Sequence, residues 1–174
     1  MQPNFKTITA LKETRQGRMA VFFDDTFDFS VDEETLLRHK LKVGQKFTPA
    51  QYEQLKSETQ YQKAREKAFS LLSYKSFTRK QLGERLARDF SEDCVEDVLD
   101  RLEELGLIND ADYAFRCARD LFSIKHYAPT RVRQELAARG IDRNDIEDVM
   151  EEFSDFDEQQ AIVQILERKY ASSL

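Results

Sequence analysis

The sequence predicts a mainly α-helical protein, in which helix-turn-helix-like three-helix units repeat in an elongated array after a small amino-terminal β meander and helix. Apolar residues recur at helical spacing from residue 61 onward, and the same pattern returns about 50 residues later. Helix breakers are scarce, with 5 Gly and 3 Pro among 174 residues. Units of this kind stack on one another, because no single unit buries its own apolar face.

Residues 5–30 are predicted to form a small antiparallel meander. The segments 7–11 and 19–23 are rich in strand-forming residues and are separated by a polar turn. Phe27 and Phe29 then alternate with polar neighbours, as on a strand that has one buried face.

Two helices are predicted after the meander. Ser30 and Glu33 have the spacing of a capping box, which predicts a helix that ends near Gly44. Thr48, followed by a proline, begins a long helix or helix pair that continues to about Leu72. Because two strands cannot bury all the phenylalanines of the meander, we expect these rings to pack on the first of the two helices.

The two three-helix units align position by position. Leu82 and Leu86, on the second helix of the first unit, return 50 residues later as Val132 and Leu136. The third helices match with an offset of 51 residues. We therefore expect the following segments: 1–59, the β meander and helix; 60–108, the first unit; 109–154, the second unit; and 155–174, the first helix of a partial third unit.

Charged residues alternate in blocks that follow this repeat. Residues 61–90 carry eight Lys and Arg against three Asp and Glu, whereas residues 91–112 carry one against nine. Residues 113–143 carry seven against three, and residues 144–160 carry none against eight. Units stacked in register would align their basic edges into a stripe, although the formal net charge is −6. A structural role for the acidic third helices stays open, because acidic residues in a first turn also complement the helix dipole.

The composition indicates a soluble cytoplasmic protein. Cys94 and Cys117 form no CxxC pair and are predicted to be reduced thiols. The first residues lack a basic segment followed by an apolar one, so no signal peptide is expected. No apolar stretch of 18 residues occurs, so no membrane span is expected either.

Neither an enzymatic site nor a metal site is expected. His39 and His126 have no partner at a motif spacing, and no glycine-rich phosphate loop follows a strand, so we expect no catalysis and no cofactor. Residues 24–35 alternate acidic and hydroxyl side chains as a calcium loop does. A calcium loop has Gly at its sixth position and Glu at its twelfth, where this segment has Phe29 and Thr35.

Three motifs resemble the RecX family. Residues 105–114 (LGLINDADYA) resemble the family segment that joins its first two repeats. Residues 78–86 (TRKQLGERL) and 131–141 (RVRQELAARGI) resemble the motifs before and after it. The similarity covers roughly residues 61–170, and the preceding meander and helices are similar to the family's amino-terminal extension. The sequence departs from the family at Ala128, where a glycine is usual before proline, and in its short third repeat.

The resemblance implies a non-enzymatic regulator of the RecA recombinase. Such a protein binds in the groove of the RecA filament on single-stranded DNA and inhibits or modulates ATP hydrolysis and strand exchange. It would act in recombination and in the DNA-damage (SOS) response, as a monomer. Two alternatives stay open on the residues alone, namely a stand-alone helical DNA-binding protein and an α-helical scaffold that binds only proteins.

The basic residues at helix starts and on outer faces are the candidates for contacts to phosphates of single-stranded or duplex DNA, without regard to base sequence. They are Lys63, Lys67, Lys75, Arg79, Lys80, Arg85, Arg88, Arg116, Arg119, Lys125, Arg131, Arg133 and Arg139. Tyr74, Phe77 and Tyr127 lie in turns beside basic residues, where they either stack on unpaired bases or hold the turns to the core. The amino ends of the second helices are expected to add backbone donors. Because exposed charges contribute little to stability, we expect changes at Arg79, Lys80 and Arg85 to leave folding almost unaltered.

Overall fold

The computed structural model describes residues 4–154 of the chain, so the partial third unit predicted at 155–174 lies outside the described residues. The strands are β1 (Lys6–Glu13), β2 (Met19–Phe23), β3 (Thr26–Val31) and β4 (Lys46–Phe47). The helices are α1 (Glu33–Arg38), α2 (Pro49–Tyr74), α3 (Arg79–Leu86), α4 (Glu92–Glu104), α5 (Asp110–Ser123), α6 (Pro129–Ala138) and α7 (Arg143–Glu152). The predicted fold class, tandem three-helix units after a small strand meander, is confirmed.

The strands form one antiparallel sheet in the order β3-β2-β1-β4. Val21 of the central β2 lies opposite Leu11 of β1 and Phe29 of β3. The sequence pattern did not predict β4, because two residues are too few to show an alternation. It pairs Lys46 and Phe47 with the start of β1.

The helix predicted from Ser30 to about Gly44 is shorter at both ends. Ser30 lies in β3, and Asp32 is the cap, whose carboxylate accepts a hydrogen bond from the Thr35 backbone nitrogen at 2.7 Å. The helix ends at Arg38, because the following chain turns back to the sheet. There the Gly44 nitrogen donates to the Ile8 carbonyl at 2.8 Å.

The two buried phenylalanines of the meander, Phe23 and Phe29, pack on α2. The Phe23 ring lies 5.2 Å from the Tyr52 ring between centroids, and the Phe29 ring lies 6.4 Å from it. Phe27 is 54% exposed, at the open side of the sheet. Leu36 of α1 is packed against the same core, so the expectation that these rings pack on the first helix is incomplete, because α2 also covers the sheet.

Helix α2 is shared between the sheet and the first three-helix unit. Tyr52 and Leu55 belong to the core under the sheet, whereas Ala64 and Ala68, farther along the same helix, belong to the next core. Thr48 begins the helix with a complete capping box. The domain boundary expected between residues 59 and 60 falls inside α2, and the domain limits stay a prediction.

Each three-helix unit has its own apolar core. The carboxyl-terminal half of α2 packs with α3 and α4, and α5 packs with α6 and α7. The equivalent residues Leu82 and Val132, and likewise Leu86 and Leu136, are fully buried. The 50-residue repeat in the sequence thus corresponds to two equivalent cores.

Candidate nucleic-acid interface

Arg79, the first residue of α3, lies across acidic helix α4. Its Nη1 donates to Glu103 at 2.6 Å, and its Nη2 donates to Glu96 at 2.6 Å and to Asp100 at 2.7 Å. Burial lowers the pKa of the guanidinium, but the hydrogen bonds to Asp100 and Glu96 and the charge of Glu103 outweigh it, so the pKa is raised. With three carboxylates as partners, Arg79 is a poor candidate for a phosphate contact.

The same pairing of second and third helices recurs in the second unit. Arg133 of α6 donates to Glu147 of α7 at 3.0 Å. The alternation of basic and acidic blocks therefore has a structural component, because the acidic helix binds an arginine of its neighbour in both units. The other candidates that form ion pairs are Lys67 with Asp89, Arg116 with Asp112, Arg119 with Asp120, and Arg139 with Glu135.

Four exposed candidate cations of the first unit have no carboxylate partner among the described residues. Lys75, Lys80, Arg85 and Arg88 are exposed, and none forms an ion pair with another residue in the described range 4–154. Lys63 is half-buried, and burial together with the charge of nearby Arg18 lowers the pKa of its ammonium group, against the opposing effect of Glu66. The first-unit candidates for phosphate contacts are thus mainly these four.

The aromatic candidates lie in different surroundings. Tyr74 is 85% exposed at the end of α2. Tyr127 is half-buried, and the Arg131 guanidinium lies over its ring at 3.9 Å from the centroid. Phe77 is 6% exposed and belongs to the first-unit core. Phe77 therefore holds the turn to the core and is unavailable to a base, which leaves Tyr74 and Tyr127 as stacking candidates.

The amino ends of the two second helices differ. At α3, the Thr78 hydroxyl accepts from the Gln81 nitrogen at 3.2 Å, and the Asp110 carboxylate accepts from the Arg79 nitrogen at 2.8 Å. The expectation that this end offers donors to phosphate is wrong, because a carboxylate of the second unit already occupies it. At α6 the cap is Ala128, which has no side-chain hydrogen bond.

The junction between the units lies at the amino end of α3. The buried Thr78 hydroxyl donates to the Arg139 carbonyl of the α6–α7 turn at 2.6 Å. Gly140 follows with a φ of +85°, and a Cβ there would lie 2.5 Å from the Lys80 Cβ. The sequence pattern shows Thr78 only as a helix cap, because a contact between units has no periodic signature.

Residues 4–154 contain neither a membrane-spanning helix nor a cluster of metal ligands. No helix in this range is long and apolar enough to cross a membrane. No group of three or more His, Cys, Asp or Glu side chains there could hold a metal ion.

Three family models match the chain in succession. They are the regulatory protein RecX N-terminal domain over residues 6–48, the first RecX three-helix domain over 64–102, and the second over 109–150. Together they cover the sheet and both three-helix units.

Individual RecX proteins match over most of this chain. Regulatory protein RecX of Listeria monocytogenes is 29% identical over 150 residues, which are 86% of this chain and 56% of the relative. Regulatory protein RecX of Lacticaseibacillus paracasei is 34% identical over 135 residues, which are 77% of this chain and 55% of the relative. The chain thus spans little more than half the length of these relatives.

Two crystal structures show the same fold. One, of regulatory protein RecX, has a TM-score of 0.63 and 28% sequence identity, and the match covers 85% of this chain and 74% of the other. The second, of RecX from Lactobacillus salivarius, has a TM-score of 0.58 and 27% identity, and the match covers 65% of this chain and 76% of the other.

Proposed function

Because the chain belongs to the RecX family, we propose that it is a non-enzymatic regulator that binds RecA filaments on single-stranded DNA and inhibits or modulates their activities. The observation that carries this proposal is the succession of three family matches across the sheet and both three-helix units. A role in recombination and the DNA-damage response follows from the proposed partner, as does a place in the cytoplasm.

The uncompensated cations support a contact with DNA. Lys75, Lys80, Arg85 and Arg88 form no ion pair within residues 4–154, in a chain of net charge −6. Lys and Arg on a surface neutralise phosphates and carry no base-sequence information, which suits a protein that acts on any filament. Tyr74, one residue before Lys75, adds an exposed ring at the same place.

The acidic face of α4 supports a defined orientation on the filament. Glu92, Asp93 and Asp97 are exposed and form no ion pair within residues 4–154. Glu92 lines one cleft with Lys80, whereas Asp93 and Asp97 lie one helical turn apart on α4. Phosphates repel these two carboxylates, so their side of α4 is expected to face protein and not DNA. This arrangement combines a DNA contact with a separate protein contact in one small molecule.

The proposal is tested on RecA assembled on circular single-stranded DNA. Addition of the chain is expected to slow both ATP hydrolysis and strand exchange in proportion to its concentration. Unchanged rates at saturating concentration would refute the proposal. If the chain binds DNA in the absence of RecA but has no effect on the assembled filament, it is a stand-alone DNA-binding protein.

A matched pair of variants tests the DNA contact. Replacing Lys80, Arg85 and Arg88 with Ala is expected to weaken binding to oligo-dT and to lower the salt slope by about 2, since each contact to a single strand contributes about 0.7. Replacing Glu92, Asp93 and Asp97 with Ala is the control, and it is expected to leave binding unchanged or to tighten it. Equal behaviour of the two variants would contradict a contact through these cations.

A further inference from the structure

Three clefts border the junction between the three-helix units. The one of about 650 Å³ is lined by side chains of both charges, and the other two have opposite charge. One of these two has a volume of about 430 Å³ and is lined by Glu103, Asp110, Asp142 and Asp145, with Arg79 as the one cation among its described lining residues. Burial and the neighbouring carboxylates Asp142 and Asp110 raise the pKa of Asp145, which shows how crowded this negative charge is. Such a cleft repels an anion.

The other cleft, the basic cleft, has a volume of about 390 Å³ and is lined by residues of both units. Arg116, Lys125 and Arg139 of the second unit line it, and Asp120 is the one carboxylate among the described residues that line it. Ser76, from the turn between α2 and α3, lies on the first-unit side. In an acidic protein, this excess of cations at one cleft is a local field that attracts anions.

The cations of the basic cleft keep donors available. Arg139 binds Glu135 at 2.7 Å, and Arg116 binds Asp112 at 3.2 Å. A guanidinium has five N–H donors, so one carboxylate does not saturate it. Lys125 forms no ion pair with any residue of the described part, and Ser76 is exposed with a hydroxyl that can donate.

The basic cleft adjoins, in the chain, the exposed residues Tyr74 and Lys75. Ser76 follows Tyr74 and Lys75 directly in the chain, and Lys125 precedes Tyr127 by two residues. A strand that crosses the cleft therefore meets an exposed cation and an aromatic ring on either side. Alternating phosphate and stacking contacts are the usual way in which proteins hold single strands without reading their sequence.

We propose that the basic cleft between the two three-helix units binds a backbone phosphate of single-stranded nucleic acid, through Arg116, Lys125 and Arg139 with Ser76 opposite. This inference rests on the proposed function, to which it adds the place where the strand passes between the units. It assigns the DNA contact to residues of both units and not to the outer face of α3 alone.

Charge-matched variants of the full chain test the proposal. The cleft variant is Arg116→Ala with Lys125→Ala, and the control is Arg101→Ala with Arg143→Ala, which removes the same charge from exposed residues that neither line the cleft nor are candidates for phosphate contacts. The cleft variant is expected to lower the salt slope of oligo-dT binding by about 1.4, since each single-strand contact contributes about 0.7. The control is expected to keep the slope, and equal slopes in the two variants would overturn the proposal.

Cys117 supplies a second, independent measurement, since it lines the basic cleft whereas Cys94 lies on α4. Burial raises the pKa of the Cys117 thiol, so labelling with a thiol reagent is run at alkaline pH. Bound oligo-dT is expected to slow labelling of Cys117 several-fold and to leave Cys94 unchanged. Equal rates at Cys117 with and without bound oligo-dT would overturn the proposal.

Inorganic phosphate and ATP separate the possible sources of the phosphate group. Protection of Cys117 by either of them, as strong as that by oligo-dT at equal phosphate concentration, would overturn the assignment to nucleic acid. Failure of the cleft alone is distinguishable from failure of the proposed function. A chain that slows RecA but shows neither Cys117 protection nor a slope change refutes the cleft only, whereas a chain that shows both but has no effect on RecA refutes only the proposed function.

Discussion

The second helices of the two three-helix units have equivalent cores but different amino ends. In the first unit, Thr78 caps α3 and binds the α6–α7 turn, and Asp110 fills the same helix end. In the second unit, Ala128 leaves α6 without a side-chain cap. The difference teaches that an internal repeat fixes what each unit buries, while the surface of each unit depends on its neighbour.

The largest difference in unfolding free energy between equivalent ends of the two units is expected from loss of the Thr78 hydroxyl. Thr78→Val removes a helix cap and leaves the carbonyl of half-buried Arg139 without the Thr78 donor, which together cost about 2–4 kcal/mol of unfolding free energy. Thr130→Val, an exposed change near the start of α6, is the control and is expected to stay within about 0.5 kcal/mol. Urea unfolding measures both.

Thr78→Ser keeps the hydroxyl and is expected to recover most of the lost stability. If Thr78→Val and Thr130→Val had equal unfolding midpoints, the two helix ends would be energetically equivalent, and the comparison between the units would fail.

The next largest difference in unfolding free energy is expected between the glycines that follow α4 and α6. Gly106 and Gly140 both have positive φ, but only Gly140 lies against a neighbour, the Lys80 side chain. Gly106→Ala is expected to cost about 1–2 kcal/mol, from the backbone conformation alone. Gly140→Ala is expected to cost about 1–3 kcal/mol more, because the added methyl overlaps Lys80.

A double-mutant cycle separates the two causes. Lys80→Gly is expected to remove the additional cost of Gly140→Ala and to leave the cost of Gly106→Ala unaltered. An additive result at Gly140 would show that the units do not touch there in solution.

Sequence reasoning predicted what depends on periodicity and missed what depends on the contact between units. The buried positions Leu82 and Val132 follow from apolar spacing alone. The pairing of Arg79 with α4 carboxylates, and that of Thr78 with Arg139, joins residues far apart in the chain, and no local pattern encodes it. The misplaced α1 has another cause, since Ser30 and Asp32 are both good caps and only the extent of β3 decides between them.

Two arginines of α3 are expected to differ in their contribution to stability, because Arg79 is ion-paired and Arg85 has no ion pair within residues 4–154. Arg79→Ala leaves three α4 carboxylates without their partner and is expected to cost about 1–2 kcal/mol of unfolding free energy. Arg85→Ala, at an exposed and unpaired residue, is expected to stay within about 0.5 kcal/mol. This replaces the expectation that both residues behave as solvated charges.

The salt slopes of DNA binding should show the reverse order, with the larger change in Arg85→Ala and not in Arg79→Ala. Arg85→Ala is expected to lower the salt slope of oligo-dT binding by about 0.7, whereas Arg79→Ala leaves it unchanged. A lower slope in Arg79→Ala would mean that, in the unaltered chain, the Arg79 guanidinium leaves the α4 carboxylates and binds phosphate.

The smallest expected effect is a gain of stability at the open end of α6. Ala128 has φ −64° and ψ 151°, which is close to the −75° and 160° of the Thr78 cap. Ala128→Ser therefore places a hydroxyl where it can accept from the Thr130 N–H, or from the Arg131 N–H that donates to the Ala128 carbonyl at 2.9 Å, and is expected to add about 0.5–1 kcal/mol to the unfolding free energy. Ala138→Ser, at the other end of the same helix, supplies the control, because a hydroxyl there meets carbonyls and caps no N–H. If Ala128→Ser had no effect, the first N–H groups of α6 would already have hydrogen-bond partners. The amino ends of α3 and α6 would then both be capped, but by different partners.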